Sequence, residues 1–217
     1  MRAHFDEQLA QLNRELISMG ALCEEAIALS AKSLLSGDPD MASGVAPLDG
    51  EIDRKERSIE SLCLKLLLQQ QPVARDLRQI SAALKMITDL ERIGDQASDI
   101  AEIAGELRGR PGEGCARIGE MAREAVGMVT ESIDAYVRRD VDLAHRVIAR
   151  DDVVDDLFEQ VKTSLIALIA AAPDDGGYVV ELLMAAKYFE RIADHATNIA
   201  EWVEFSVTGV HKGEAEL

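Results

Sequence analysis

Aromatic residues make up only 4% of this chain, and that scarcity narrows the fold before any pattern is read. The apolar share is 47%, so a core must be assembled from Leu, Ile, Val, Ala and Met. Such a mixture packs helix on helix, whereas a β-sandwich draws more heavily on aromatic and β-branched side chains. Five prolines and fifteen glycines cluster at a few places, which leaves long uninterrupted stretches for helices. Cysteine is just as sparse: Cys23, Cys63 and Cys115 are odd in number, far apart and without a C-x-x-C pair. They read as small buried apolar residues in a reducing compartment. No window approaches the ~18 apolar residues that span a bilayer, and MRAHFDEQLA carries no signal-peptide run. The chain is therefore expected in the cytoplasm, associating with membranes only through partners.

Positive charge is the next deficit. Lys and Arg number 23 against 40 Asp and Glu, for a net charge of −17 over 217 residues. Binding nucleic acid or anionic lipid needs clustered basic residues, so the charge balance argues against a surface built for either. The same balance argues against a preformed pocket for free phosphate or another small anion. It suits cationic partners, either a basic protein surface or metal ions. Catalytic signatures are also missing. There is no Gly-rich phosphate loop, no Ser, Cys or His in a nucleophile context, and no Glu-x-x-His of the di-iron carboxylate bundles.

The helical pattern is strong. Phe5, Leu9, Leu12, Leu16, Met19, Cys23 and Ala26 step by four and three, a bundle seam. This first helix is predicted to end near Gly37, with Asp38 as the cap and Pro39 as the first residue of the next. The second helix runs to about Gln70, with Ile59, Leu62, Cys63, Leu66 and Leu67 on one face. Pro72 restarts the chain into a third, through Leu77, Ile80, Leu84, Ile87, Ile93, Ala97 and Ile100. GRPGEG at 109–114 is the clearest break, and three more helices follow over roughly 115–138, 140–171 and 176–206.

The two groups of three are copies. LERIGDQASDIAE at 90–102 returns as FERIADHATNIAE at 189–201, with eight of thirteen positions identical. A shift of 102 superposes Met19 on Met121, Asp38 on Asp140, Asp49 on Asp151 and Asp53 on Asp155, and beyond the second helix the shift drops to 99. Gly44, Pro47 and Gly50 meet Arg146, Ala149 and Asp152, so the second helix of the first copy should be kinked or start late. The predicted architecture is all-α: six long helices as two tandem, pseudo-symmetric three-helix bundles. The first spans 1–110 and the second 111–207, with a flexible tail over 208–217.

Glu91, Asp95 and Asp99 are spaced i, i+4, i+8 and drift only about 80° around a helix while climbing roughly 12 Å. Asp49 and Asp53 share the i, i+4 relation on the preceding helix. Counted from the Pro72 turn, Asp53 lies level with Glu91, and Asp49 with Asp95. In the second copy a turn centred near Asp174–Asp175 would set Asp155 opposite Asp194 and Asp151 opposite Asn198. Facing carboxylates repel unless a cation lies between them. Oxygen ligands without Cys or His suit hard ions such as Mg²⁺, Mn²⁺, Ca²⁺ or iron. The plainer reading is two solvated faces with Arg54, Lys55, Arg92 and Arg191 as countercharge; recurrence in both helices of both copies favours metal. His195 follows Asp194 but matches Gln96 in the other copy, so it reads as a surface residue.

Two three-helix units that each end in E-R-I-[GA]-D-x-A-x-[ND]-I-A-E closely resemble the PhoU family of bacterial phosphate-transport accessory proteins. The resemblance rests on Glu91-Arg92-Ile93-Gly94-Asp95 with Asp99-Ile100-Ala101-Glu102, and on Glu190-Arg191-Ile192-Ala193-Asp194 with Asn198-Ile199-Ala200-Glu201. It implies a cytoplasmic adaptor rather than an enzyme, often dimeric, holding divalent or trivalent metal ions (magnesium, manganese, iron, calcium or zinc). Carried over by position, metal would be held by Asp49, Asp53, Glu91, Asp95 and Asp99 in one half, and by Asp151, Asp155, Glu190, Asp194 and Asn198 in the other. Arg92 and Arg191 would contact neighbouring acids or a partner. The implied partners are a phosphate ABC transporter ATPase subunit and a sensor histidine kinase, with repression of the phosphate-starvation response as the output. The alternatives are a metal-free or metal-binding helical scaffold and a carboxylate-metal enzyme.

Overall fold

In a computed structural model, which describes residues 2–70, 72–107 and 116–210, the chain forms six long helices and one short one. They are α1 (Arg2–Ser36), α2 (Pro39–Ser43), α3 (Val45–Gln70), α4 (Ala74–Glu106), α5 (Ala116–Arg138), α6 (Val141–Ala171) and α7 (Gly176–Thr208), with a 3₁₀ turn at Pro173–Asp175 before α7. The expectations for GRPGEG, Cys115 and the tail beyond Val210 lie outside the described residues.

Local chemistry sets the helix ends. Asp38 caps α2 by accepting the Asp40 N–H at 3.0 Å, and Pro39 opens that helix. Gly44 then ends it and α3 begins at Val45, so Pro47 sits in a first turn, where its missing N–H breaks no helical hydrogen bond. The second copy has no proline there. Asp140 accepts the Leu143 N–H at 2.9 Å, and α6 runs unbroken. Both copies leave their first helix through a left-handed residue, Gly37 at φ 69° and its counterpart Arg139 at φ 57°.

The long helices pack as a closed ring in the order α1, α4, α7, α5, with α3 against α1 and α4 on one flank and α6 against α5 and α7 on the other. Equivalent helices therefore meet, α1 on α5 and α4 on α7, as an internal pseudo-two-fold requires. The α4–α7 seam is the most extensive and is antiparallel. Asp89 meets His195 at 2.9 Å and Asn198 at 3.1 Å, while Arg78 lies beside Gly209 at the far end of α7.

The predicted seam of α1 is buried, with Leu12, Leu16, Met19, Cys23 and Ala26 all at 0% exposure. Ile80, Ile87, Ile93, Ala97 and Ile100 of α4 are buried as well. Leu77 is not: it is 47% exposed, because the buried stripe runs back from Ile80 to Asp76, one turn earlier, and leaves Leu77 on its flank. Cys23 and Cys63 are buried free thiols; burial, with Glu60 nearby, pushes the Cys63 thiol up to about 12. Phe189 and Leu77 test this layout. Phe189→Ala, at a fully buried position of α7, is expected to cost about 3–5 kcal/mol in chemical denaturation. Leu77→Ala should stay within about 0.5 kcal/mol of the parent. Equal losses at both positions would contradict the assigned core.

Candidate functional site

The first acidic stripe lies where α3 packs on α4. Asp49 and Asp53 come from α3, and Glu91, Asp95 and Asp99 from α4. Asp49 is held above the usual carboxylate range by burial and then by the negative charge of Asp95, with Asp53 and Asp99 adding to it. Burial and then Asp95 also raise Glu91, with Arg92 relieving part of the effect and Glu56 and Asp53 adding to it. Asp99 is raised by burial, Glu102 and Asp95, and eased by Arg191 and the Tyr188 hydroxyl from α7. The Oδ1 atom of Asp49 is buried without a hydrogen-bond partner. Gly94 makes room for it, since a Cβ at that position would stand 3.0 Å from Asp49 Oδ1 and 3.0 Å from Ile52. The break at Gly44 leaves an open pocket of about 380 Å³ beside it, lined by Ala42, Ser43, Ala46, Asp49, Ser98 and Glu102 among others.

The second stripe repeats the pairing on α6 and α7. Asp151 is pushed up to about 6 by burial, then by Asp194 and Asp155, while the Thr197 hydroxyl favours its ionised form. Asp155 is raised by burial and then by Glu190; Asp194 is raised by burial, Glu190 and Asp155, and Lys187 relieves both. Asp151 thus faces Asp194 and Asp155 faces Glu190, in the register of the first copy. The turn-counting estimate was one helical turn off because the turn centres at Ala172–Pro173, at the end of α6, rather than at Asp174–Asp175. Asn198 points elsewhere, donating to Asp89 across the α4–α7 seam. His195 also bonds Asp89 and is only 19% exposed, so it ties the two halves together rather than standing on the surface.

Of the four cations expected as countercharge, only Arg92 pairs with its stripe, at 2.9 Å from Asp95 and 3.5 Å from Glu91. Arg54 turns to Glu51 and Lys55 to Glu15 of α1, while Arg191 lends its charge to Asp99 and Tyr188. Two other cations were not picked out from sequence. Arg57 pairs with Asp53 at 3.2 Å, and Lys187 pairs with Glu190 while lying 5.3 Å from the Phe158 ring. Ser98 and Thr197, the hydroxyls beside Asp49 and Asp151, were missed too, although they hold matching places in the repeated motif. No three His, Cys, Asp or Glu side chains among the described residues stand together closely enough to hold a metal ion as they are placed.

These shifts have a pH consequence. A carboxyl whose pKa rises on folding penalises the folded state when ionised. For Asp151 that penalty is complete above about pH 6 and is relieved as pH falls toward its ordinary value of 3.8. The metal-free protein should therefore be more stable at about pH 5 than at pH 7. Asp151→Asn should raise stability at pH 7 by about 1 kcal/mol once solvent screening is allowed for, and flatten the profile. Urea titrations across that range in chelator check this, and an unchanged profile in the variant would contradict it.

Comparison with known proteins follows the same pattern. A family model, the PhoU domain, matches the chain twice, over residues 16–104 and 118–203. The "Phosphate-specific transport system accessory protein PhoU homolog" of Clostridium acetobutylicum is 35% identical over 210 residues, covering 96% of each chain. The protein of that name from Synechocystis is 38% identical over 212 residues, covering 96% of this chain and 93% of its own. The crystal structure of PhoU from Pseudomonas aeruginosa superposes with a TM-score of 0.90 at 34% identity, covering 95% of this chain and all of the other. A duplicated three-helix unit, an acidic stripe in each copy and full-length relatives agree: the chain belongs to the PhoU family.

Proposed function

We propose that this chain is an accessory protein of a phosphate-specific transport system. It works in the cytoplasm as an adaptor between the ATPase subunit of a phosphate ABC transporter and a sensor histidine kinase, represses the phosphate-starvation response when phosphate is plentiful, and forms a homodimer. The observation that carries this reading is full-length similarity to relatives named for that transport system. No helix among the described residues is long and apolar enough to cross a membrane, which agrees with recruitment through partners. An adaptor also suits the chemistry. Cys23 and Cys63 are buried with their thiol pKa values raised, which disqualifies them as nucleophiles, and the stripes offer carboxylates alone.

The stripes fit a hard cation by their donors. Asp49 Oδ1 is buried and unpartnered, Gly94 leaves space beside it, and each ionised carboxylate raises the pKa of those around it. Asp49, Asp53, Glu91 and Asp95 would hold the ion in one half, with Asp99 shared with Tyr188. Asp151, Asp155, Glu190 and Asp194 would hold it in the other, with Asn198 committed to Asp89. A bound ion supplies positive charge, which relieves the repulsion and clamps α3 to α4 and α6 to α7. Asp95→Asn together with Asp194→Asn should lower metal content and weaken phosphate-dependent repression. If both stay at parental levels, the metal reading fails. Affinity capture from phosphate-replete cells should retain the ATPase subunit and the kinase, and recovery of neither would overturn the adaptor reading.

A further inference from the structure

The composition argues against an anion site, yet three arginines lie near one another at one end of the molecule. Arg75 and Arg78 project from the first turns of α4, and Arg139 stands in the α5–α6 turn. Tyr136, one turn before Arg139, donates its hydroxyl to the Gln79 carbonyl at 3.0 Å and holds the two helix ends together. Burial and the like charges of Arg75 and Arg78 bear on Arg139, with Tyr136 and the buried Asp76 acting in the opposite sense. None of the three arginines forms an ion pair among the described residues, and the buried Asp76 is the carboxylate whose charge bears on Arg139. Nε of Arg78 is buried without a hydrogen-bond partner.

The repeat sharpens the point. The counterparts of Arg75, Arg78 and Arg139 are Asp174, Gly177 and Gly37, so the shared fold needs a basic residue at none of these places. Position 139 is also left-handed, at φ 57°, where its counterpart uses glycine. A side chain there is strained, and such strain persists where the side chain serves a purpose.

We propose that Arg75, Arg78 and Arg139 form a binding site for a phosphoryl-type oxyanion. Guanidinium forks match the oxygens of such a group, and α4 opens without a side-chain cap, leaving first-turn N–H groups at the same end. The group can come from free inorganic phosphate or from an anionic phospholipid headgroup. Val73, 59% exposed, and Leu77 flank the site and would rest on a lipid surface in the second case. The site is independent of the metal reading.

The test uses the full chain at low ionic strength. Inorganic phosphate is titrated in a calorimeter, and co-sedimentation is measured with phosphatidylcholine vesicles with and without phosphatidylglycerol. Saturable heat with phosphate identifies the free anion as the ligand; sedimentation only with the anionic vesicles identifies the headgroup. Arg139→Gly should weaken whichever binding is seen by about tenfold while its thermal midpoint holds or rises, because glycine removes the charge and the strain together. Arg75→Ala should weaken it similarly without altering helicity. Binding to neither probe, or binding that both variants retain at parental strength, overturns the site.

Discussion

The packing of α4 on α7 is the constraint on which the rest of this structure depends. These helices are copies of one another and run antiparallel, so their contacts come in pairs, each made twice in different chemistry. Asn198 of α7 donates to Asp89 of α4; the equivalent levels, exchanged, put Asp99 of α4 beside the Tyr188 hydroxyl of α7. His195 adds a second bond to Asp89, and Arg191 adds its charge to Asp99. With one face of each helix committed to this seam, the outer faces are left for α3 and α6, and the borders of those outer pairs are where the carboxylates fall. Two like-charged stripes are thereby held on the two flanks of one shared core.

Those stripes work against the fold in the absence of a cation. Burial and mutual repulsion raise the carboxyl groups of Asp49, Glu91, Asp99, Asp151, Asp155 and Asp194 together, so the ionised stripe is a standing cost that core burial must offset. The copies relieve it differently. The first uses Arg92 and Arg57 at its rim and keeps a pocket beside Asp49, opened by the break at Gly44. The second runs an unbroken α6 and sets Lys187, supported by Phe158, against Glu190. In the first copy those two places hold Thr88 and Glu56. Duplication preserved the carboxylates apart from Asp99, whose counterpart is Asn198, while the residues around them diverged, and a cation would meet a different environment in each half.

Much of this was legible in the residues themselves. Helical class, the α1 seam, the cap at Asp38, the late start forced by Pro47 and the doubling of the unit all follow from interactions within a few residues along one helix, or from comparing one copy with the other. Facing acids were legible where the turn could be counted: Asp49 against Asp95 came out correctly because Pro72 marks the centre of its turn. Asp151 was paired one turn away from its true partner because Pro173-Asp174-Asp175 adds a 3₁₀ turn whose centre the sequence does not mark. Periodicity placed Leu77 inside because it counts apolar residues and cannot see that Asp76 occupies the buried line.

What the sequence alone determined is the set of helices, their duplication and the lines of carboxylates, because backbone hydrogen bonds and the 3.6-residue turn act locally. Only the tertiary structure decided which long side chains meet. It turned Asn198 and His195 to Asp89 and Lys55 to Glu15, and it gathered Arg75, Arg78 and Arg139 at one end of an acidic molecule. Charged side chains reach several ångströms beyond their helix. Their partners are therefore chosen by the register and crossing of helices distant in sequence, which no pattern along a single helix records.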